Sequence, residues 1–255
     1  MAVYHIVFSP TGGTKKVSDL FTASFCSKSV YIDLTDRSSD FSSFSFHPED
    51  VCIVSVPSYG GRVPAIAISR LSQMKGNGAA AILIVVYGNR AYDDTFAELQ
   101  DILTECGFTC TAGIAAIAEH SIMRQFASGR PNLQDEKQLA VFAETIRSKM
   151  KSGTLSAHLE LPGNRPYREY NGVPMKPQTE KSCNHCGLCA KACPVGAISM
   201  DDPSITDTKT CISCMRCIAI CPQKARNVSK VLLAAGSIKL KKVCSDDKKN
   251  ELFLP

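Results

Sequence analysis

The chain has 255 residues, 44% hydrophobic and 21% charged, with a formal net charge of +5. That length supports one large domain or two modest ones, and the composition excludes a disordered or fibrous protein. Its longest apolar runs reach about nine or ten residues, half a membrane span, and the opening Met-Ala-Val-Tyr-His-Ile-Val-Phe has no basic leader, so a cytoplasmic protein with no membrane span is expected.

Residues 1–151 alternate short apolar runs with amphipathic stretches. Strands are predicted at Val3–Ser9, Val30–Leu34, Val51–Val56, Ala79–Tyr87 and Cys110–Ala118. Helices are predicted at Gly13–Cys26, with Val17, Leu20, Phe21 and Phe25 on one face, and at Ala65–Met74, Tyr92–Cys106 and Leu133–Met150. Continuous apolar strands separated by helices predict an α/β, doubly wound five-stranded parallel sheet covered on both faces. Ligands of such sheets bind beyond the carboxyl ends of the strands, so the segments after strands one, three and four are the ones to inspect.

Residues 152–181 are rich in proline and glycine and read as a stiff, irregular linker, with Tyr167 and Tyr170 expected to pack onto a neighbour. Residues 182–228 hold a cysteine-rich region. Residues 229–255 are predicted to form a short helix at Ser229–Ala235 and a charged tail, too mixed in sign over Lys239–Lys249 to identify a partner.

Thirteen cysteines in a chain without a secretory signal argue for metal binding rather than disulfides. Eight fall in two runs, Cys183-x-x-Cys186-x-x-Cys189-x-x-x-Cys193-Pro and Cys211-x-x-Cys214-x-x-Cys217-x-x-x-Cys221-Pro, an internal repeat. Structural zinc favours two separated Cys-x-x-Cys pairs. Three thiolates at steps of three, followed by a fourth, suit a [4Fe–4S] cubane, with the fourth Cys of each run ligating the other cluster. One cluster then takes Cys183, Cys186, Cys189 and Cys221, and the second takes Cys211, Cys214, Cys217 and Cys193. Between the cysteines, His185 reads as an exposed spacer and Arg216 as a solvated neighbour. Of the remaining cysteines, Cys26, Cys52, Cys106, Cys110 and Cys244, Cys52 reads as a small core residue, a Cys106–Cys110 pair would need oxidising conditions that the cytosol argues against, and Cys244 is the one to test for reactivity. The region 181–228 resembles the bacterial two-cluster ferredoxins. A net charge of −1 over residues 1–151 and +6 over the remainder could suggest nucleic acid. Two clusters of charge about −2 each offset most of that excess, so no nucleic acid is expected.

After strand one, Ser9-Pro10-Thr11-Gly12-Gly13-Thr14 leads into a helix. Hydroxyls, backbone N–H groups and a helix N-terminus there can wrap a phosphate without a lysine. Pro57-Ser58-Tyr59-Gly60-Gly61-Arg62 follows strand three, and Gly88-Asn89-Arg90-Ala91-Tyr92 follows strand four. As a set, these loops resemble those of the flavodoxin family, in its short-chain form. The resemblance implies that Ser9, Thr11, Gly12, Gly13 and Thr14 hold an FMN phosphate. It also implies that Pro57, Ser58, Tyr59, Gly60, Gly88, Asn89, Arg90 and Tyr92 surround the isoalloxazine, with Tyr59 and Tyr92 flanking it and Gly60 free to reverse its peptide. Arg62 and Arg90 would raise the flavin potential above the family's usual low value. His120, ending strand five, is a further candidate.

Flavodoxin-like and ferredoxin-like parts in one chain resemble the flavodoxin–ferredoxin fusions of anaerobes. The resemblance implies an electron carrier between FMN, two [4Fe–4S] clusters and redox partner proteins. The alternative is an FMN-dependent reductase of a quinone, flavin or other small acceptor fed by the clusters, and a third reading is a redox sensor.

Overall fold

The computed structural model describes residues 1–154 and 158–255. Residues 155–157, inside the expected linker, lie outside the described residues. The first part runs β1 (Val3–Val7), α1 (Gly13–Phe25), β2 (Val30–Asp33), β3 (Val51–Pro57), α2 (Ala65–Leu71), β4 (Ala80–Tyr87), α3 (Thr95–Glu105), β5 (Thr109–Ile117) and α4 (Leu133–Lys151), with a 3₁₀ turn at Phe41–Ser43. The five strands pair in parallel in the order β2-β1-β3-β4-β5, which is the flavodoxin-like doubly wound arrangement.

The strands form here because alternate residues bury against opposite helical layers. In β4, Leu83 and Val85 join Phe8, Phe46, Phe96 and Leu99 in one core. Ile82 and Ile84 join Val17, Phe21, Leu139 and Ile146 in the other. Predicted and observed elements agree to within a few residues. In the first part the boundary shifts reach three residues: α2 ends at Leu71 rather than Met74, and α3 begins at Thr95 rather than Tyr92. Asp93 takes a left-handed φ of 39°, and the Asp94 N–H turns to the Gly61 carbonyl at 3.0 Å.

The segment expected to be a linker is a strap laid over α3. Asp94 accepts the N–H groups of Asn164 at 2.8 Å and Arg168 at 2.7 Å. Burial works against its charge, but these bonds hold its carboxyl below the usual range. Asp101 pairs with Arg165 at 2.5 Å and takes the Tyr167 hydroxyl. Arg62 stacks on the Tyr167 ring, 4.9 Å from its centroid.

The cysteine region consists of β6 (Gln178–Thr179), α5 (Leu188–Lys191), α6 (Arg216–Ala219) and β7 (Arg226–Asn227), with β6 and β7 antiparallel. Its sequence repeat is also a backbone repeat. Left-handed conformations recur at His185 and Ser213, at Gly187 and Met215, and at Gly196 and Lys224.

The last residues correct the expected short helix and tail. Helix α7 spans Lys230–Cys244, and β8 (Glu251–Phe253) pairs antiparallel with β5, extending the five-stranded sheet to six. Gly236 lies inside α7, where a Cβ would collide with the methyl groups of Met123 and Met175. Buried Asn250 secures the return of the chain. It accepts the Ile117 N–H at 3.0 Å and donates to Asp135 and Gln138, each at 3.0 Å. Among the described residues, no helix is long and apolar enough to cross a membrane.

Candidate functional site

A cavity of about 230 Å³ opens at the carboxyl ends of β1, β3, β4 and β5. Ser9, Pro10, Thr11, Gly13 and Thr14 form one end of it. Gly12 makes the turn into α1 with a φ of 92°, and no described side chain caps the helix or places an acid in its first turn. The Ser9 hydroxyl oxygen accepts the Lys15 N–H at 2.8 Å, which leaves its own proton for an acceptor. These features suit an anion at a helix N-terminus.

Pro57, Ser58, Tyr59, Gly60, Gly88 and Arg90 also line the cavity. Gly60 has a φ of 60° and lies under the Tyr170 ring, where a Cβ would collide. Burial, with Cys214 and Tyr170 beside it, pushes the Tyr59 phenol well above its ordinary pKa.

Three expected neighbours of the ring lie elsewhere. The Asn89 amide donates to the Cys244 and Asp246 carbonyls, both at 2.8 Å. Its φ of 67° turns it to the returning C-terminal segment rather than into the cavity. Tyr92 packs edge-on against Tyr87 and Phe96, with its hydroxyl 3.3 Å from Glu251. Arg62 is held by Glu98 at 2.5 Å and by the Arg168 carbonyl at 2.7 Å. Of the two arginines, only Arg90 reaches the cavity, and it is ion-paired to Asp93.

Other lining residues come from the end of β5, where the sequence reading singled out only His120, and from the strap and the second cysteine run. Ala118, Glu119, His120, Ser121 and Ile122 follow β5, whose carboxyl end lies beside that of β4. The available signal was the strand order itself, since every parallel strand ends on that edge. His120 Nδ1 accepts the Ile122 and Met123 N–H groups at 3.2 Å each. Burial lowers its pKa, which keeps the ring neutral with Nε2 as its donor. Tyr170 and Val173 arrive from the strap, and Ile212 and Ser213 from the second cysteine run.

The eight run cysteines gather in two smaller cavities. Cys193, Cys211, Cys214 and Cys217 line one, and Cys183, Cys186, Cys189 and Cys221 line the other. Backbone N–H groups point at the sulfurs: Ala197 to Cys193 and Ala225 to Cys221 at 3.3 Å, and Ser213 to Cys211 at 3.4 Å. Four thiols around a walled space, with N–H donors on sulfur, fit an iron–sulfur cluster. His185 stays outside the ring of cysteines and pairs with Asp202 at 3.3 Å. Arg216 is not a solvated neighbour. Its guanidinium reaches the Pro10 carbonyl at 3.3 Å, and its Nε is buried.

Cys244, the cysteine singled out for a reactivity test, is 3% exposed within a cluster of Met123, Phe126, Met175, Met215 and Val228. Burial raises its pKa, which removes the thiolate that reactivity needs.

Residues 182–225 match the 4Fe-4S dicluster domain family. The chain therefore joins a flavodoxin-like fold to a ferredoxin-type domain, and a redox role follows. Within that class, a 71-residue stretch is 38% identical to the putative oxidoreductase AegA of Escherichia coli, covering 26% of this chain and 11% of that protein. A 55-residue stretch is 42% identical to a component of the ion-translocating oxidoreductase complex of Methanosarcina acetivorans, covering 21% of each chain. The chain thus spans only a tenth to a fifth of the curated relatives it matches. Among solved structures, a flavodoxin from Streptococcus pneumoniae aligns over 58% of this chain and 99% of its own, at 20% identity and a TM-score of 0.43.

Proposed function

We propose that the chain is an electron carrier that holds one FMN and two [4Fe–4S] clusters and exchanges electrons with separate redox proteins. The observation that carries this reading is the shared wall. Ile212 lines both the sheet-edge cavity and the cavity of Cys193, Cys211, Cys214 and Cys217. FMN takes one or two electrons and each cluster takes one.

The protein's own groups supply position and environment. The loop Ser9–Thr14 would hold the phosphate, and Tyr59, Tyr170 and neutral His120 would enclose the ring and exclude water. Cys183, Cys186, Cys189 and Cys221 would ligate one cluster, and Cys193, Cys211, Cys214 and Cys217 the second. Arg70 locks the two parts together from a buried position, donating to the Leu34 carbonyl at 2.5 Å and the Pro194 carbonyl at 2.7 Å. A rigid junction suits transfer within one chain.

The test is anaerobic mixing while flavin absorbance is followed. Bleaching by a reduced ferredoxin, with none by NADH or NADPH alone, is the expected result. Prompt bleaching by either nicotinamide would favour an FMN-dependent reductase instead.

A further inference from the structure

We propose that Ile212 and Ser213 are flavin-contacting residues that make FMN binding conditional on the cluster of Cys193, Cys211, Cys214 and Cys217, and not on the other cluster. This rests on the reading above that the chain holds FMN and both clusters.

Most of the sheet-edge cavity belongs to the flavodoxin-like part, but Ile212 and Ser213 close it from the second cysteine run. Ile212 packs against the edge of the sheet core, and the Ser213 hydroxyl donates to the Val173 carbonyl at 3.4 Å, but neither side-chain contact holds the backbone of the pair. Ser213 is 4% exposed and holds a left-handed φ of 55°, a backbone that persists in a serine only where its surroundings impose it. Here the constraints are cysteines. Its N–H donates to Cys211 Sγ at 3.4 Å, and the pair Ile212–Ser213 is the two-residue span between Cys211 and Cys214. A cluster bound to both thiolates fixes both ends of that span. Without it, only those side-chain contacts hold the two residues at the cavity wall. The second cavity differs. It shares no lining residue with the sheet-edge cavity, whereas the cavity of Cys193, Cys211, Cys214 and Cys217 shares Ile212 with it.

Two ligands that share a wall are thermodynamically coupled, and the coupling is reciprocal. Losing the adjoining cluster should therefore weaken FMN, and FMN should protect that cluster from loss. Losing the remote cluster should do neither.

The experiment uses the full chain, stripped of flavin anaerobically with its iron retained. It is titrated with FMN by quenching of flavin fluorescence, with iron and sulfide assayed on each sample. Cys214→Ser should weaken FMN at least about tenfold, and Cys189→Ala by no more than about threefold. Because a ligand variant can disturb the whole cysteine region, Ser213→Asp provides the second arm. Aspartate tolerates the left-handed backbone but adds bulk and charge at the wall. It should weaken FMN at least about tenfold with iron content unchanged. Wild-type FMN affinity in Ser213→Asp, or equal losses in Cys214→Ser and Cys189→Ala, would overturn the inference. A wild-type protein that keeps its iron yet takes up no FMN would instead overturn the functional reading beneath it.

Discussion

Between Val3 and Lys151 the buried positions are mostly Ile, Val, Leu, Ala and Phe, set in two cores on either side of a sheet. Between Ser182 and Val228 the small core is Cys189, Ala190, Cys193, Ala197, Ile198 and Cys217, with two helices of four residues each. The first region stores its fold in apolar burial. The second has too few apolar side chains to offset its chain entropy, so its fold must depend on what its thiolates bind.

The sharpest way to break this comparison is to remove iron. Anaerobic chelation should abolish hydrogen-exchange protection across residues 182–228 and leave β1, β3, β4 and β5 protected. Equal loss in both regions would show that the sheet also depends on the clusters. The converse perturbation is Phe96→Ala. Phe96 is fully buried and ringed by Tyr92 and Phe253, so truncation should cost about 3–5 kcal/mol in denaturant unfolding of the sheet. Cluster absorbance should survive below that transition.

Acid sharpens the contrast further. His5 is buried against the Ser18 hydroxyl at 2.5 Å, and burial pushes its pKa down to about 4, with Asp19 opposing and Lys15 assisting. The folded chain refuses a proton that the unfolded chain accepts near pH 6.5. Stability from this group is therefore complete above that pH and lost on descent toward pH 4, by on the order of 3 kcal/mol. His5→Gln should flatten the slope of sheet stability between pH 6.5 and 4. Asn250→Ala gives the smallest effect, about 1–3 kcal/mol. It leaves the Ile117 N–H without its acceptor and should loosen β8 before any other strand, as read by hydrogen exchange.

Legibility in the sequence followed the same division. The five parallel strands could be read because each is a run buried on both faces. The two cysteine runs could be read because their spacing repeats, while the exchange of the fourth cysteine between the sets came from the rule for two-cluster ferredoxin runs. Helix α7 was cut short at Gly236, whose role is close approach to two methionines. Strand β8 has three residues, too few to show a period. Asn89 and Tyr92 were assigned to the ring because their loop sits at the right edge. Their side chains answer instead to Cys244, Asp246 and Glu251, more than 150 positions away. Ile212 and Ser213 were missed for the same reason. A cavity wall contributed by another domain leaves no mark in the local pattern.

Composition analysis of protein purified without oxygen tests the central claim most directly. The account predicts about eight iron, eight inorganic sulfide and one FMN per chain. Zinc in place of iron, or a colourless protein, would contradict it.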